Sequence, residues 1–391
     1  MKFAHLADCH VGGWKEDALK ELSIKSFEQA IDKCIDENVA FVIIAGDLFN
    51  TALPNIDIIK RVASSLSKLK ENDIDVYAIP GSHDFSPSGK SVLDVLENSG
   101  LLHNVAKFDG NKLKFALDKT NVKIAGLYGK RSGLDKNEYE TLDKSNLEKE
   151  SGFKIFLFHA LLNEFKPKSF EHIEGHSVEH LPKNFHYYAG GHPHFVGYAI
   201  KNERLISYPG PLFPNSFSEL EELKHGGFYI VNDSLKIERI PVKINDVISF
   251  EFDANGKTPL QVEDEIIGTI KDYNNKIITI RVAGTLRDGK PTDIDFKKIF
   301  SKFSDAYAII KNTYKLSTKE FEDLQIKPGS IDDIESSLID ENITESFNHE
   351  LVASLVRELS KERFEGETVK DFEERVFKDA VKVLKIENLW K

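Results

Sequence analysis

"KFAHLADCH", Lys2 to His10, is the stretch that decides how this chain is read. A short apolar run closed by polar residues reads as a single strand. This one ends in an aspartate and a histidine two positions apart. In an extended chain residues i and i+2 face the same way, so Asp8 and His10 are expected to aim two ligand atoms into one site while Cys9 faces away. The construction recurs down the chain. "AFVIIAGD" delivers Asp47, "IDVYAIPGSHD" delivers Ser82, His83 and Asp84, "FKIFLFH" delivers His159, and "HYYAGGHPH" delivers His192 and His194. A strand-end Asp is often a cap, and a lone His in an apolar run is more often core than ligand. Five strand ends of this kind, two of them DxH or HxH pairs, are not accounted for by caps and core histidines.

Carboxylate oxygens mixed with imidazoles suit Mn²⁺, Fe²⁺ or Zn²⁺ rather than Ca²⁺. One carboxylate can bridge two ions, and Asp47 is the natural candidate. Two ions roughly 3.5–4 Å apart can clamp a phosphodiester, activate a water and steady the leaving oxygen.

The rest of the chain supplies the frame. Its 391 residues suggest two or three domains, and 40% hydrophobic with 30% charged residues is a globular composition. Two cysteines, Cys9 and Cys34, with no CxxC pair, exclude a disulfide framework and a thiolate zinc site and fit a reducing cytoplasm. No apolar run approaches the roughly 18 residues of a membrane span, and no secretion signal is expected. A net charge of −12 argues against bulk attraction to nucleic acid but leaves a local basic groove or a metal cluster open.

Further strands are expected at "VKIAGLY", "RLISYPG", "GGFYIV" and "LKIERIPV", with a helix through Phe27, Ala30, Ile31 and Cys34. The pattern is α/β with a β-rich second half. Past residue 241 the texture changes to strand, helix, strand, helix, strand, a small α+β domain over 242–320. An acidic linker, 321–344, leads to two amphipathic helices in 345–391. Phe347, Leu351, Leu355 and Leu359 lie on one, and Val369, Phe372, Val376, Ala380 and Leu384 on the other, with Thr368 and Asp371 as a capping box.

The order DxH, GD, SHD, H, GHPH resembles the calcineurin-like metallophosphoesterases. "HLADCHVGG", "GDLFN", "SHDFSPSG", "GLYGKR", "LPKNFHYYAGGHPH" and "YPGPLFPNSFSELEELKHGGFYIV" are similar to one branch of them, the Mre-eleven/SbcD nucleases of double-strand-break repair. The resemblance implies a four-layer α/β/β/α sandwich over 1–241, a capping, DNA-binding domain over 242–320 and a helical segment over 345–391 for a Rad-fifty/SbcC-type ATPase. It implies two Mn²⁺ per subunit, one on Asp8, His10, Asp47 and His194, the other on Asp47, His159, His192 and position 82. His83 would protonate the leaving oxygen or steady the transition state, with Asp84 orienting its ring. DNA ends as substrate, exonuclease and endonuclease activity, a homodimer through helices near Ser91–Leu102, and a cytoplasmic, nucleoid-associated, prokaryotic setting complete the expectation.

Two positions depart from the family pattern. Ser82 stands where asparagine is usual: it coordinates directly, or a water fills the gap, or the second ion binds loosely. Asn50 stands where relatives often carry Asp or His. Two other readings stay open, a phosphoesterase acting on non-DNA substrates and a DNA-end-binding scaffold with weakened catalysis. "SPSGKS" lacks the first glycine of a P-loop, since Asp84 occupies that place. His172, His176 and His180 read as a polar loop, because Gly175 and Pro182 interrupt a helix. Lys130 and Arg131 are candidates for phosphate contact or a solvated loop.

Overall fold

The computed structural model describes residues 1–84, 91–110, 112–130, 136–167, 170, 173–201, 203–318, 349–359, 361 and 369–384. Two units emerge, Met1–Leu316 and Ser317–Lys391.

In the first unit the expected apolar runs form β1 (Lys2–Leu6), β2 (Phe41–Ala45), β3 (Asp75–Ile79), β8 (Lys123–Leu127), β9 (Lys154–His159), β10 (Tyr187–Gly191), β12 (Arg204–Tyr208), β13 (Gly226–Asn232) and β14 (Ile237–Val242), and the chain adds strands outside the expectation at β4 (His103–Asn104), β5 (Phe108–Asp109), β6 (Lys112–Leu113), β7 (Ala116–Leu117) and β11 (Gly197–Lys201). They build two six-stranded sheets, ordered β14-β13-β1-β2-β3-β4 and β11-β12-β10-β9-β8-β7. β1, β2 and β3 are parallel, as are β8, β9, β10 and β12. Parallel strands put their carboxyl ends on one edge, where sites in α/β sheets are built.

The strands are apolar on both faces because both faces are covered. Between the sheets lie Phe3, Phe41, Ile43, Tyr77, Ile124, Ile155, Leu157 and Tyr187, with Phe3 stacked on Phe41 at 5.2 Å. The outer face of the first sheet packs on α1 (Asp17–Asp36), α2 (Ile56–Glu71) and α3 (Val92–Asn98) through Phe27, Ile31, Val62, Leu66 and Leu93. The outer face of the second sheet carries Phe156, Phe158, Tyr188 and Tyr208 against Tyr139 and Leu147 of the short helices α4 (Lys136–Thr141) and α5 (Ser145–Lys149). The result is the α/β/β/α sandwich, its fourth layer thin. Ser91 closes a capping box on α3 with Asp94; 85–90, the rest of the P-loop-like stretch, lies outside the described residues. α3 buries Val92, Leu93 and Leu96 while Val95 is exposed.

After α6 (Phe217–Leu223) and the last two strands of the first sheet, the chain forms β15 (Val247–Asp253), α7 (Pro259–Thr269), β16 (Ile277–Leu286), α8 (Phe296–Lys302) and β17 (Ala308–Asn312). The order is the one read from the sequence, with its own core of Phe252, Val262, Ile266, Ile280 and Ile299. This module docks on the sandwich through Leu19, Leu22, Phe213, Leu220, Ile277 and Ile310.

The second unit holds α9 (His349–Leu359) and α10 (Val369–Leu384), with an ion pair from Lys361, just past α9, to Asp379 of α10. Ala380 is buried, whereas Leu359 and Phe377 are exposed. The linker, Phe347 and the Thr368 cap lie outside the described residues.

Candidate metal centre

The ligand-type residues gather at the carboxyl edge, but only His159 is itself in a strand. The others lie just past the ends of β1, β2, β3 and β10. Asp8 (φ 49°), His10 (φ 40°), Asp47 (φ 53°), His192 (φ 99°) and His194 (φ 58°) all hold positive φ. Non-glycine residues rarely do; each such position costs on the order of 1–3 kcal/mol and persists only where its surroundings over-determine it. The expectation that strand alternation aims Asp8 with His10, and His192 with His194, is therefore corrected. Asp8 and His10 come together in one cluster from backbone of positive φ, whereas His192 and His194 enter different clusters. Cys9 does face away, into the core beneath the helices. Gly81 gives Asp47 its room: a Cβ there would stand 2.2 Å from the Asp47 nitrogen and 2.3 Å from Oδ1.

Three overlapping clusters result, each with its ligand atoms within 4.8 Å: Asp8, His10 and His194; His10, Asp47 and His83; Asp47, His159 and His192. Asp47 Oδ2 lies 3.1 Å from His159 Nε2, 3.6 Å from His10 Nε2 and 3.3 Å from Ser82 Oγ. Its Oδ1 accepts the His83 N–H at 2.7 Å. His10 and His194 meet Nε2 to Nε2 at 2.9 Å. His159 Nε2 is buried without hydrogen-bond geometry to any partner. Lone pairs converging on shared volumes, from nitrogen and carboxylate oxygen, fit divalent cations. The outward nitrogens are held as metal-bound imidazoles usually are. His159 Nδ1 is 2.9 Å from the Ala45 carbonyl, and His194 Nδ1 is 3.1 Å from Glu219 Oε1.

Electrostatics follow from the crowding. Burial alone would raise the Asp47 carboxyl, but His159 and His10 outweigh it and hold it well below the ordinary carboxylate range. Burial opposes a proton on His159, yet Asp47 beside it raises it to about 9. His194 is raised to about 9 in the same way, against burial, by its hydrogen bond to Glu219 and then by Asp8. His10 is lowered to about 3, by burial and then by His194.

The proposed pairing of Asp84 with His83 is also corrected. Asp84 is buried, and its carboxylate accepts the backbone N–H groups of Leu48 (3.0 Å), Phe49 (2.9 Å) and Gly81 (3.1 Å). It ties the β2 and β3 turns together, its hydrogen bonds directed at backbone amides rather than at the ring. His83 Nδ1 instead meets the Asn50 carbonyl at 2.8 Å. Asn50 presents its amide to Asn215 Nδ2 at 3.4 Å. Lys130 pairs with Glu138 and lies over the Tyr128 ring, while Arg131 and His172 are outside the described residues. His176 is buried against Tyr139 and His180 ends a short turn, in keeping with the loop reading.

Glu219 and Asn215 are site residues that the strand-end pattern does not reach. The legible signal was Ser216-x-x-Glu219, the signature of a helix start.

Residues 1–203 match the calcineurin-like phosphoesterase family. Relatives of this chain carry the name DNA double-strand break repair protein Mre11. That of Methanococcus maripaludis is 31% identical over 85% of this chain and 89% of its own length. That of Methanocaldococcus jannaschii is 27% identical over 92% and 94%, and that of Archaeoglobus fulgidus 26% identical over 68% and 62%. Read with the clustered carboxylates and imidazoles, this chain belongs to the calcineurin-like phosphoesterases and, among them, to the Mre11/SbcD-type nucleases, and is a metal-dependent phosphodiesterase.

Proposed function

We propose that the chain is a Mn²⁺-dependent exonuclease and endonuclease that processes DNA double-strand-break ends with a Rad-fifty/SbcC-type ATPase, in the cytoplasm at the nucleoid. The observation that carries the reading is the overlap of three ligand clusters on His10 and Asp47. Asp8, His10, Asp47 and His194 would hold one cation; Asp47, Ser82, His159 and His192 would hold the other. Bound cations supply an activated water and withdraw charge from the phosphate. The chain's own residues do the rest. Asp47 turns one oxygen toward His10 and His159 and anchors the His83 backbone with the other. His83, with Nδ1 on the Asn50 carbonyl, carries its mobile proton on Nε2 and delivers it to the leaving oxygen. Asp84 holds the two turns that fix His83 and Asp47 relative to each other.

The proposal is tested by Mn²⁺-dependent degradation of single-stranded and blunt-ended DNA. His83→Ala is expected to lower the rate by about 10²–10⁴-fold while both cations still bind. Turnover of small phosphoesters with none of DNA would sink the nuclease reading in favour of the non-DNA one.

The remaining organisation is proposed on the same footing: 1–241 as the nuclease domain, 242–320 as the capping, DNA-binding domain, 321–344 as linker and 345–391 as the ATPase-binding segment. Exposed Leu359 and Phe377 on α9 and α10 support that last role, and exposed Val95 on α3 supports a homodimer. Removing 345–391 is expected to abolish ATPase binding; binding that survives overturns the assignment.

A further inference from the structure

We infer that Glu219 is the positioning residue of the metal centre, and that helix α6 links the setting of His194 to the small α+β module. The inference rests on the proposed role of His194 as a ligand. His194 Nδ1 donates to Glu219 Oε1 at 3.1 Å, so Nε2 is the nitrogen turned to His10. The Glu219 carboxylate is itself held on two more sides. Ser216 Oγ donates to Oε1 at 3.1 Å and the Asn215 N–H donates to Oε2 at 2.8 Å. The Glu219 N–H returns to Ser216 Oγ at 3.2 Å, capping the helix. A carboxylate on the non-ligating nitrogen fixes the tautomer, the ring plane and the basicity of the ligand.

The next residues of the same helix grip the module. Leu220 is fully buried in the docking core with Leu19, Leu22, Ile277 and Ile310. Glu221 embraces Arg281 of β16, whose Nε lies 3.3 and 3.2 Å from its two oxygens and whose Nη2 also bonds one of them. The guanidinium lies over the Phe217 ring, 5.0 Å from its centroid. Three consecutive residues thus face the ligand, the core and the module, in a helix too short to flex between them. The network also reaches His83, since Asn215 Nδ2 meets Asn50 Oδ1 at 3.4 Å and the Asn50 carbonyl meets His83 Nδ1 at 2.8 Å. The amide at position 50 is therefore engaged with Asn215, which gives its departure from the family pattern a place in the structure.

The test is a Mn²⁺ titration of the full chain, followed by the paramagnetic resonance of free Mn²⁺, with thermal unfolding of the chelator-treated protein beside it. His194→Ala is expected to lose one of two ions. Glu219→Gln should weaken that same ion about 10-fold and Glu219→Ala toward 100-fold, leaving the other ion unchanged and lowering the metal-free unfolding temperature only by the share that the raised His194 contributes below pH 9. Arg281→Met should weaken it by a smaller factor. Should Glu219→Ala fail to fold, Ser216→Ala removes one support of the carboxylate and is expected to weaken the same ion a few-fold. Glu219 variants that bind both ions as wild type, or lose both together with a lowered unfolding temperature, overturn the positioning role. Unchanged affinity in Arg281→Met overturns the link to the module. If His194→Ala keeps both ions, it is the ligand assignment that fails.

Discussion

The two rims that meet at the metal centre bring different chemistry to it. The first sheet supplies Asp8, His10, Asp47, Ser82 and His83, and with them both carboxylates of the three clusters; Asp8, His10 and Asp47 are each 1% exposed. The second sheet supplies His159, His192 and His194, imidazoles alone, with His192 open to solvent. Negative charge is thus buried under one sheet, and the other offers imidazole nitrogens for which protons and a cation compete. Neither rim is a site without its counterpart. Asp47 is the hinge of the comparison, because it reaches His10 on its own sheet and His159 on the opposite one.

The largest expected effect follows from that position. Asp47→Ala should remove both cations and lower DNA cleavage on the order of 10³-fold or more, read by metal stoichiometry and nuclease assay together. A variant that keeps one ion at wild-type affinity would show that Asp47 serves a single cation, and the symmetry between the rims would be lost.

A smaller effect tests the weakest point of the first rim. Ser82 is buried beside Asp47 Oδ2, with a hydroxyl where an amide carbonyl would reach farther and donate more strongly. Ser82→Asn is expected to tighten the ion shared by Asp47, His159 and His192 about 10-fold, some 1.4 kcal/mol, and to raise cleavage at limiting Mn²⁺. Identical affinities and rates in the two proteins would remove Ser82 from the coordination sphere.

How much of this was legible depends on what kind of information each feature needs. The sandwich could be read because its strands are short, apolar on both faces and punctuated by Gly, Pro or Asp. β11 escaped because it is an edge strand with Tyr198 and Ile200 exposed, so no burial pattern marks it. At the site, residue type and spacing picked out the side chains that the turns bring together. The way they converge was not legible: residue types other than glycine do not announce positive φ, and five of these residues adopt it. Asp84 was placed against the wrong partner because its true partners are backbone amides, which leave no trace in a side-chain pattern. Glu219 stands 25 positions beyond His194 and meets it only because β12 and the following turns return α6 to the rim.

The smallest effect sets protons against the cation at the two rims. In chelator-treated protein, His159 and His194 of the second rim are raised to about 9 by the carboxylates beside them, against burial. A histidine raised in the fold contributes stability that is complete below its unfolded value, near 6.5, and is lost as pH climbs through about 9. His10 of the first rim is lowered to about 3 by burial and then by His194, His192 of the second rim to about 3 by burial and then by His159, and His5 between the sheets to about 3 by burial. The unfolded chain takes up protons there below about pH 6.5 that the fold refuses, so stability falls again on the acid side. The unfolding temperature of the metal-free protein should therefore peak near pH 6.5 and drop by several degrees toward pH 9. Loaded with Mn²⁺, the same protein should show the opposite slope on that limb, because cations displace the protons and bind more tightly as pH rises. His159→Gln should make the alkaline limb shallower, leaving the part that His194 carries, and His10→Gln the acid one, leaving the parts that His5 and His192 carry. Alkaline limbs that coincide with and without the cation would mean that protons and metal do not compete for this rim, and the division of labour between the two sheets would have to be redrawn.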